Sequence, residues 1–251
     1  MQRSNNTIFI TGGTSGIGRA LAEAWHDRGN RVLVTGRRQA LLDQMADQRP
    51  GLRGLALDVD DPAATPQLAA WLHANAPALN VVLANAGISR AEDMAADGWT
   101  AEDATAIVQT NILGVLRVAQ AALPLLRRNG PATFLATSSA LAFVPRADFP
   151  AYCASKAFLH SWLQSLRHQL RAFPVEVLEL SPPYVQTELT GARQASDPRA
   201  LPLADYVQQV LHKLEVGDTP HGEVLLDRDL PRRWAERDGT YASVYAAMNP
   251  A

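Results

Sequence analysis

Tyr152 and Lys156 stand four residues apart in Tyr152-Cys153-Ala154-Ser155-Lys156, and Ser139 lies thirteen residues upstream of the tyrosine. On a helix, positions i and i+4 share one face, so the phenol and the ammonium would meet over one substrate. A free phenol titrates near about 10 and is a poor acid–base catalyst at neutral pH, whereas a neighbouring ammonium favours the phenolate. A hydroxyl, a phenol and an ammonium converging in this way suit proton transfer to or from an oxygen better than acyl transfer. Cys153 would project from another face of the same helix and reads as a small buried hydrophobe rather than a nucleophile. As the only cysteine, it excludes an intrachain disulfide and a Cys-based zinc site. A Tyr-x-x-x-Lys spacing alone is common in helices, so its weight depends on the rest of the chain.

The elements that must position these side chains follow from the apolar pattern. Short, nearly continuous apolar runs read as strands at Thr7–Thr11, Arg31–Thr35, Leu52–Asp58, Val81–Asn85, Ala132–Ser138, Val175–Leu180 and Gly222–Leu226. Amphipathic stretches between them read as helices, among them Gly16 to Arg28, Gln39–Gln48, Ala101–Leu126 and Tyr152–Ala172. Apolar strands alternating with helices imply an α/β fold: a doubly wound, Rossmann-type parallel sheet covered on both faces. Residues 1–251 read as one such domain, with a long loop over Gly191–Pro202 (a substrate loop at about 188–205) and a less regular tail after about Leu230. Loops of that length often bind or cover a ligand.

At the other end of the chain, Thr11-Gly12-Gly13-Thr14-Ser15-Gly16-Ile17-Gly18 joins the first strand to the first helix. Glycines let backbone amides approach a phosphate, and the helix N-terminus presents unpaired N–H groups and a positive dipole end to a pyrophosphate. Gly12, Thr14, Ser15, Gly16, Ile17 and Gly18 are therefore candidate dinucleotide contacts. The second strand ends in Gly36-Arg37-Arg38. Folds that prefer NAD usually place an acidic residue there for the adenosine ribose, and this chain has none. A guanidinium can pair bidentately with a 2′-phosphate. NADP(H) is thus favoured, with NAD(H) possible, and Arg37 is preferred over Arg38 as the reader of the phosphate.

With both ends in view, the chain resembles the short-chain dehydrogenases/reductases over nearly its whole length. The motifs, in order, are Thr11–Gly18, Asp58-Val59, Asn85-Ala86-Gly87, Asn111 in Asn111-Ile112-Leu113-Gly114, Ser138-Ser139 and Tyr152-x-x-x-Lys156. The resemblance implies that Asp58 and Val59 border the adenine, and that Asn85, Ala86 and Gly87 support the sheet beside the adenosine ribose. It implies Tyr152 as general acid in reduction and Ser139 as the group that holds the substrate carbonyl. Lys156 would bind the nicotinamide ribose and lower the tyrosine pKa, and Asn111 would anchor a water in a proton relay. From the residues alone, Asn111 could equally cap or kink a helix; the thirteen-residue spacing favours Ser139 over Ser138. Family members carry Pro-Gly and then Val-x-Thr against the nicotinamide, where this chain has Pro182-Pro183-Tyr184-Val185-Gln186-Thr187. Pro182, Val185 and Thr187 keep their places, but Pro183 forbids a positive φ, so the turn must differ locally. That variant, with Tyr152-Cys153-Ala154-Ser155-Lys156, is similar to bacterial oxidoreductases named for D-alanylation (dlt) loci.

Composition bounds the alternatives. The chain has 251 residues, 47% hydrophobic and 19% charged, and a formal net charge of −2 without a basic run. That argues against nucleic acid or an anionic membrane as partner. No signal-peptide pattern opens the chain, and no purely apolar run approaches the about 20 residues that span a bilayer, so the cytosol is expected. The six histidines show no ligand spacing, and no metal is expected. Leu141, Phe143, Val144, Phe149 and Tyr184 are expected around the reacting centre, giving a largely apolar pocket for a small-molecule ketone, aldehyde or secondary alcohol. By resemblance a homodimer or homotetramer is expected through the helices at Ala101–Leu126 and Tyr152–Ala172. Two other functions compete: a non-catalytic dinucleotide-binding regulator, which would be expected to lack part of Asn111, Ser139, Tyr152 and Lys156, and an epimerase or dehydratase, which would carry a larger C-terminal region.

Overall fold

The computed structural model describes residues 1–250. Seven strands, β1 (Thr7–Thr11), β2 (Arg31–Gly36), β3 (Arg53–Ala56), β4 (Val81–Ala84), β5 (Ala132–Thr137), β6 (Val175–Ser181) and β7 (Glu223–Leu225), form one sheet in the order β3-β2-β1-β4-β5-β6-β7. Every pairing is parallel. The helices are α1 (Gly16–Asp27), α2 (Gln39–Gln48), α3 (Ala64–Asn75), α4 (Glu102–Ile107), α5 (Gly114–Asn129), α6 (Pro150–Gln169), α7 (Ala192–Ala195), α8 (Leu203–Val216), α9 (Leu230–Arg233) and α10 (Tyr241–Met248).

The strands are apolar throughout because both faces are covered, and the side-chain period of two divides them between two cores. Phe9, Leu33, Val82, Phe134 and Val177 face Leu68, Val118, Ala122, Leu125, Leu159 and Leu163 of α3, α5 and α6. Ile8, Ile10, Val32, Val34, Leu83, Leu135 and Leu178 face Leu21, Trp25, Leu42, Met45, Val210 and Leu214 of α1, α2 and α8. Strand order reverses between β1 and β4, and in such sheets ligands bind in the crevice beyond the carboxyl ends of the strands at that point.

Several sequence expectations shift. The strand expected over Leu52–Asp58 stops at Ala56, so Asp58 lies in the following loop. The long loop contains the turn of α7 and ends where α8 begins at Leu203, and the tail after Leu230 is largely helical rather than irregular. The helix expected at Ala101–Leu126 is continuous over Glu102–Asn129 but widens to a π turn at Val108–Leu113, which carries Asn111. By length and hydropathy this helix could cross a membrane, which run-counting did not foresee; half of its most apolar window is buried within the fold. On α6 the wide apolar surface resolves into Leu159, Leu163 and Leu166 in the core, with Phe158 exposed.

Candidate active site

The glycine-rich turn folds tightly because other backbone lies against it. Gly12 has φ +65°, and a Cβ there would come within 2.8 Å of Ala86 Cα. A Cβ on Gly18 would meet the Gly12 carbonyl oxygen at 2.4 Å, so that glycine lets α1 close onto the turn. Asn85 fastens the switch point. Its backbone N–H donates to Thr11 Oγ1 at 3.1 Å, its amide donates to Thr11 O at 3.3 Å, and its Oδ1 accepts from Thr137 Oγ1 at 3.1 Å. The ends of β1, β4 and β5 are thereby tied round one side chain.

A cavity of about 700 Å³ opens above these strand ends. Of the residues singled out from the sequence, it is lined by Gly12, Thr14, Ser15, Gly16, Ile17, Arg37, Arg38, Asp58, Val59, Asn85, Ala86, Gly87, Ser139, Tyr152, Lys156, Pro182, Val185 and Thr187. Gly18 and Asn111 sit behind the wall, supporting it. At the far end Arg37 and Arg38 are exposed, and Arg38 Nη2 lies 3.5 Å from Thr14 Oγ1. Thr35 Oγ1 and Asp60 Oδ1 are buried polar atoms at this end without a hydrogen-bond partner within the chain. Backbone amides at a helix start, two guanidiniums and unpartnered oxygens suit a dinucleotide with its adenosine end toward β2.

The candidate reacting groups occupy the other end. Tyr152 and Lys156, one turn apart on α6, are 8% and 3% exposed, and the ammonium lies 5.5 Å from the phenol ring centroid. Lys156 Nζ donates to Thr137 O at 2.8 Å. Burial pushes Lys156 down from 10.5 to about 8, opposed by the charge of Glu179. Burial likewise pushes Tyr152 up to about 12, against a hydrogen bond with Ser139. The phenol is therefore raised where a lowering by Lys156 was expected: desolvation outweighs the hydrogen bond with Ser139. Ser139 caps the turn after β5, where its Oγ accepts from the Leu141 N–H at 3.1 Å.

Asn111 is fully buried. Its Oδ1 accepts from the Ile88 N–H at 2.8 Å, and its amide donates to Ile88 O at 2.9 Å and Ser155 Oγ at 3.0 Å. The π turn thus braces α6 between Tyr152 and Lys156 and fixes the loop after β4. Cys153 is buried against Ile107 and Tyr152, and burial pushes its thiol up, as befits a packing residue.

Beyond β6 the two prolines continue with negative φ, as they must. Pro182 O accepts from the Ala140 N–H at 3.0 Å, and Val185 pairs with Leu201 as an isolated parallel bridge. The buried Gln194 of α7 clasps this segment. Its amide donates to Val185 O at 2.7 Å and Thr187 Oγ1 at 3.1 Å, while its Oε1 accepts from the Thr190 N–H at 2.9 Å and Thr190 Oγ1 at 2.7 Å. Nothing in the sequence marked Gln194, a polar residue in a polar loop.

The expected apolar pocket is also corrected. Leu141, Phe143, Val144 and Phe149 do not line the cavity: Val144 is fully buried, Leu141 and Phe149 pack against Tyr152 and Cys153, and Phe143 stands edge-on to His160. Tyr184 is half exposed and donates to Asp197 Oδ2 at 3.2 Å. Elsewhere the cavity wall mixes Ile88, Leu189 and Leu203 with Gln186, Glu188 and Gln194. The absence of a histidine ligand cluster needs amendment too, because ligand atoms of His160, Glu179 and Glu223 lie within 4.8 Å of one another. Each is already engaged, His160 Nδ1 with Glu179 and both Glu223 oxygens with Arg233, so the set is a network of pairs rather than an open metal site. A glutamate inside the apolar run of β6 was the available signal for it.

Comparison with known proteins agrees with this geometry. The family model for short chain dehydrogenase matches residues 6–198. The uncharacterized oxidoreductase DltE of Bacillus subtilis (strain 168) is 35% identical over 227 residues, covering 86% of this chain and 87% of its own length. Sulfoacetaldehyde reductase 2 of Chromohalobacter salexigens is 32% identical over 200 residues, 78% of this chain and 79% of the relative. A short-chain dehydrogenase of Burkholderia cenocepacia J2315, solved in complex with NADP, superposes with a TM-score of 0.82 at 26% identity, covering 97% of this chain and 99% of the other. The chain belongs to the short-chain dehydrogenase family, the NAD(P)-dependent oxidoreductases to which its glycine-rich turn and Tyr-x-x-x-Lys pair point.

Proposed function

We propose that the chain transfers a hydride between NADP(H) and a carbonyl or secondary alcohol, with Tyr152 as the general acid–base. The observation that carries this reading is the gathering of Ser139, Tyr152 and Lys156 on one wall of a cavity whose far end holds the glycine-rich turn and Arg37. A nicotinamide held in that cavity supplies or accepts the hydride. Tyr152, pushed up to about 12, keeps its proton at neutral pH and has it ready for a developing alkoxide. The Ser139 hydroxyl bonds the same oxygen, and the Lys156 ammonium offsets the negative charge that grows on it. Two exposed guanidiniums and no carboxylate at Gly36-Arg37-Arg38 support a preference for the phosphorylated cofactor, as does the NADP in the Burkholderia relative. The reductase named among the relatives acts on an aldehyde, which fits the carbonyl class and leaves the particular substrate open.

The test is NADPH oxidation against a panel of aldehydes and ketones, with Tyr152→Phe alongside. Loss of the positioned acid should lower kcat at least about 100-fold while NADPH still binds. A wild-type protein that binds NADPH yet turns over no panel member faster than the phenylalanine variant would overturn the reading.

A further inference from the structure

We propose that Glu179 is a positioning residue for this site: its carboxylate, moored by His160, Ser138 and Ser181, fixes the strand end that presents Ser139 and provides the buried counter-charge behind Lys156. The inference rests on the reading of Ser139, Tyr152 and Lys156 as the reacting groups.

Glu179 is 1% exposed near the carboxyl end of β6. A carboxyl group so buried needs several hydrogen-bond partners, and it has them. Ser138 Oγ donates to its Oε1 at 2.5 Å and Ser181 Oγ does so at 3.2 Å, while His160 Nδ1 lies 2.7 Å from Oε2. Ser138 immediately precedes Ser139, so the shortest of these bonds anchors the backbone from which the candidate carbonyl-binding hydroxyl projects. His160 continues the face of α6 that carries Tyr152 and Lys156, one turn further on, and Gln164 stands another turn along with its amide 2.9 Å from His160 Nε2. The carboxylate therefore ties β5, β6 and α6 together directly behind the reacting groups.

Glu179 and Lys156 meet at the end of β5, where Lys156 Nζ donates to Thr137 O and the next residue, Ser138, donates to Glu179. The neighbour of Glu179 in register on β7 is Glu223, a second buried carboxylate. Arg233 of α9 neutralises Glu223 through two hydrogen bonds of 2.8 Å. The π turn and the end of β5 face Lys156 with neutral groups only, the Asn111 amide and the Thr137 carbonyl, and the adjacent phenol of Tyr152 is protonated. Glu179, bonded to the His160 imidazole on its other side, is the negative charge that favours the ammonium against burial.

The chain's two lysines, Lys156 and Lys213, make this directly measurable. Lysine labelled with ¹³C at Cε gives two titrating side-chain signals by NMR, and Lys213→Arg assigns them without touching the site. Glu179→Gln keeps the shape of the side chain and removes its charge. It should lower the Lys156 midpoint by about one pH unit, since an opposite charge is lost from a buried ammonium. The alkaline fall of NADPH-dependent turnover should move down with it. A folded glutamine variant in which Lys156 titrates as in the wild type overturns the counter-charge role, whether or not any carbonyl is reduced. Should that variant not fold, Ser138→Ala removes one mooring bond and leaves the charge. It should lower kcat about tenfold with KM nearly unchanged, because the loss is one of alignment. Wild-type kcat in Ser138→Ala overturns the positioning role. Absence of turnover in the wild type would instead count against the reductase reading, and the lysine titration would still decide the role of Glu179.

Discussion

Lys156 shows what a buried cation costs the fold. Its proton leaves at about 8 in the folded protein, against 10.5 for a free lysine. The folded state is thus penalised for carrying the ammonium at every pH below about 8, and the penalty fades as pH rises toward 10.5, where the unfolded chain loses its proton too. At about 1.4 kcal/mol per pH unit, the difference amounts to about 3 kcal/mol at neutral pH. Lys156→Met should remove that penalty and leave Thr137 O without its donor, a loss of about 1 kcal/mol. The expected result is an inactive protein about 2 kcal/mol more stable than wild type at pH 7, with the advantage gone near pH 10.5. Urea unfolding at the two pH values measures this, and a methionine variant no more stable at pH 7 would count against the charge penalty. At this scale Tyr152 and Lys156 were legible as candidates, because the other motifs of the chain give weight to a spacing that is common in helices. The sequence did not reveal the sign of the effect on Tyr152, which depends on how deeply both groups sit, and burial depth belongs to the packed fold rather than to spacing.

At the scale of elements, the strands and the helices that cover them were readable because their periods are imposed by burial on both faces. The segment after β6 was not. Pro183 announced a different turn, but the partner that holds it, Gln194 on the short helix α7, is a polar residue without a periodic pattern. The clasp makes Val185–Thr190 a pinned segment, since four hydrogen bonds run from one buried amide to both of its ends. Gln194→Ala should leave the Val185 carbonyl and the Thr190 N–H without these partners and release Thr187. Stability should fall by about 1–3 kcal/mol, the range for stranding a buried polar group. NADPH should also bind about tenfold more weakly, because a loop that must be ordered on binding takes that entropy from the affinity. Thermal unfolding and the fluorescence of bound NADPH report the two effects separately. A variant that loses stability but binds NADPH like wild type would confine Gln194 to holding the fold.

Across the whole molecule, the reversal of strand order between β1 and β4 brings residues from nearly every crossover to one crevice. Most motif residues, spread from Gly12 to Thr187 in the chain, line a single cavity for that reason. The order of the motifs was legible, whereas their meeting point rests on handedness and register that no local pattern encodes. A cofactor laid along this crevice would contact the turn after β1, the end of β2 and the loop after β6 at once, so its binding should be felt as global stability. At 100 times its dissociation constant a ligand adds about 2.7 kcal/mol, which for a chain of this size raises the unfolding midpoint by roughly 5–10 °C. NADPH and NADH differ only at the adenosine end, where Arg37 lies exposed at the cavity margin. Arg37→Glu exchanges a guanidinium for a carboxylate that repels the 2′-phosphate and can bond the 2′-hydroxyl. With both cofactors present at fixed concentration in separate scans, the wild type should be raised more by NADPH. The variant should lose at least half of that rise, about 1.4 kcal/mol for each tenfold loss of affinity, and keep or increase its response to NADH. Equal losses for the two cofactors would mean that Arg37 does not read the phosphate, and Arg38, already within reach of Thr14, would be the guanidinium to change next.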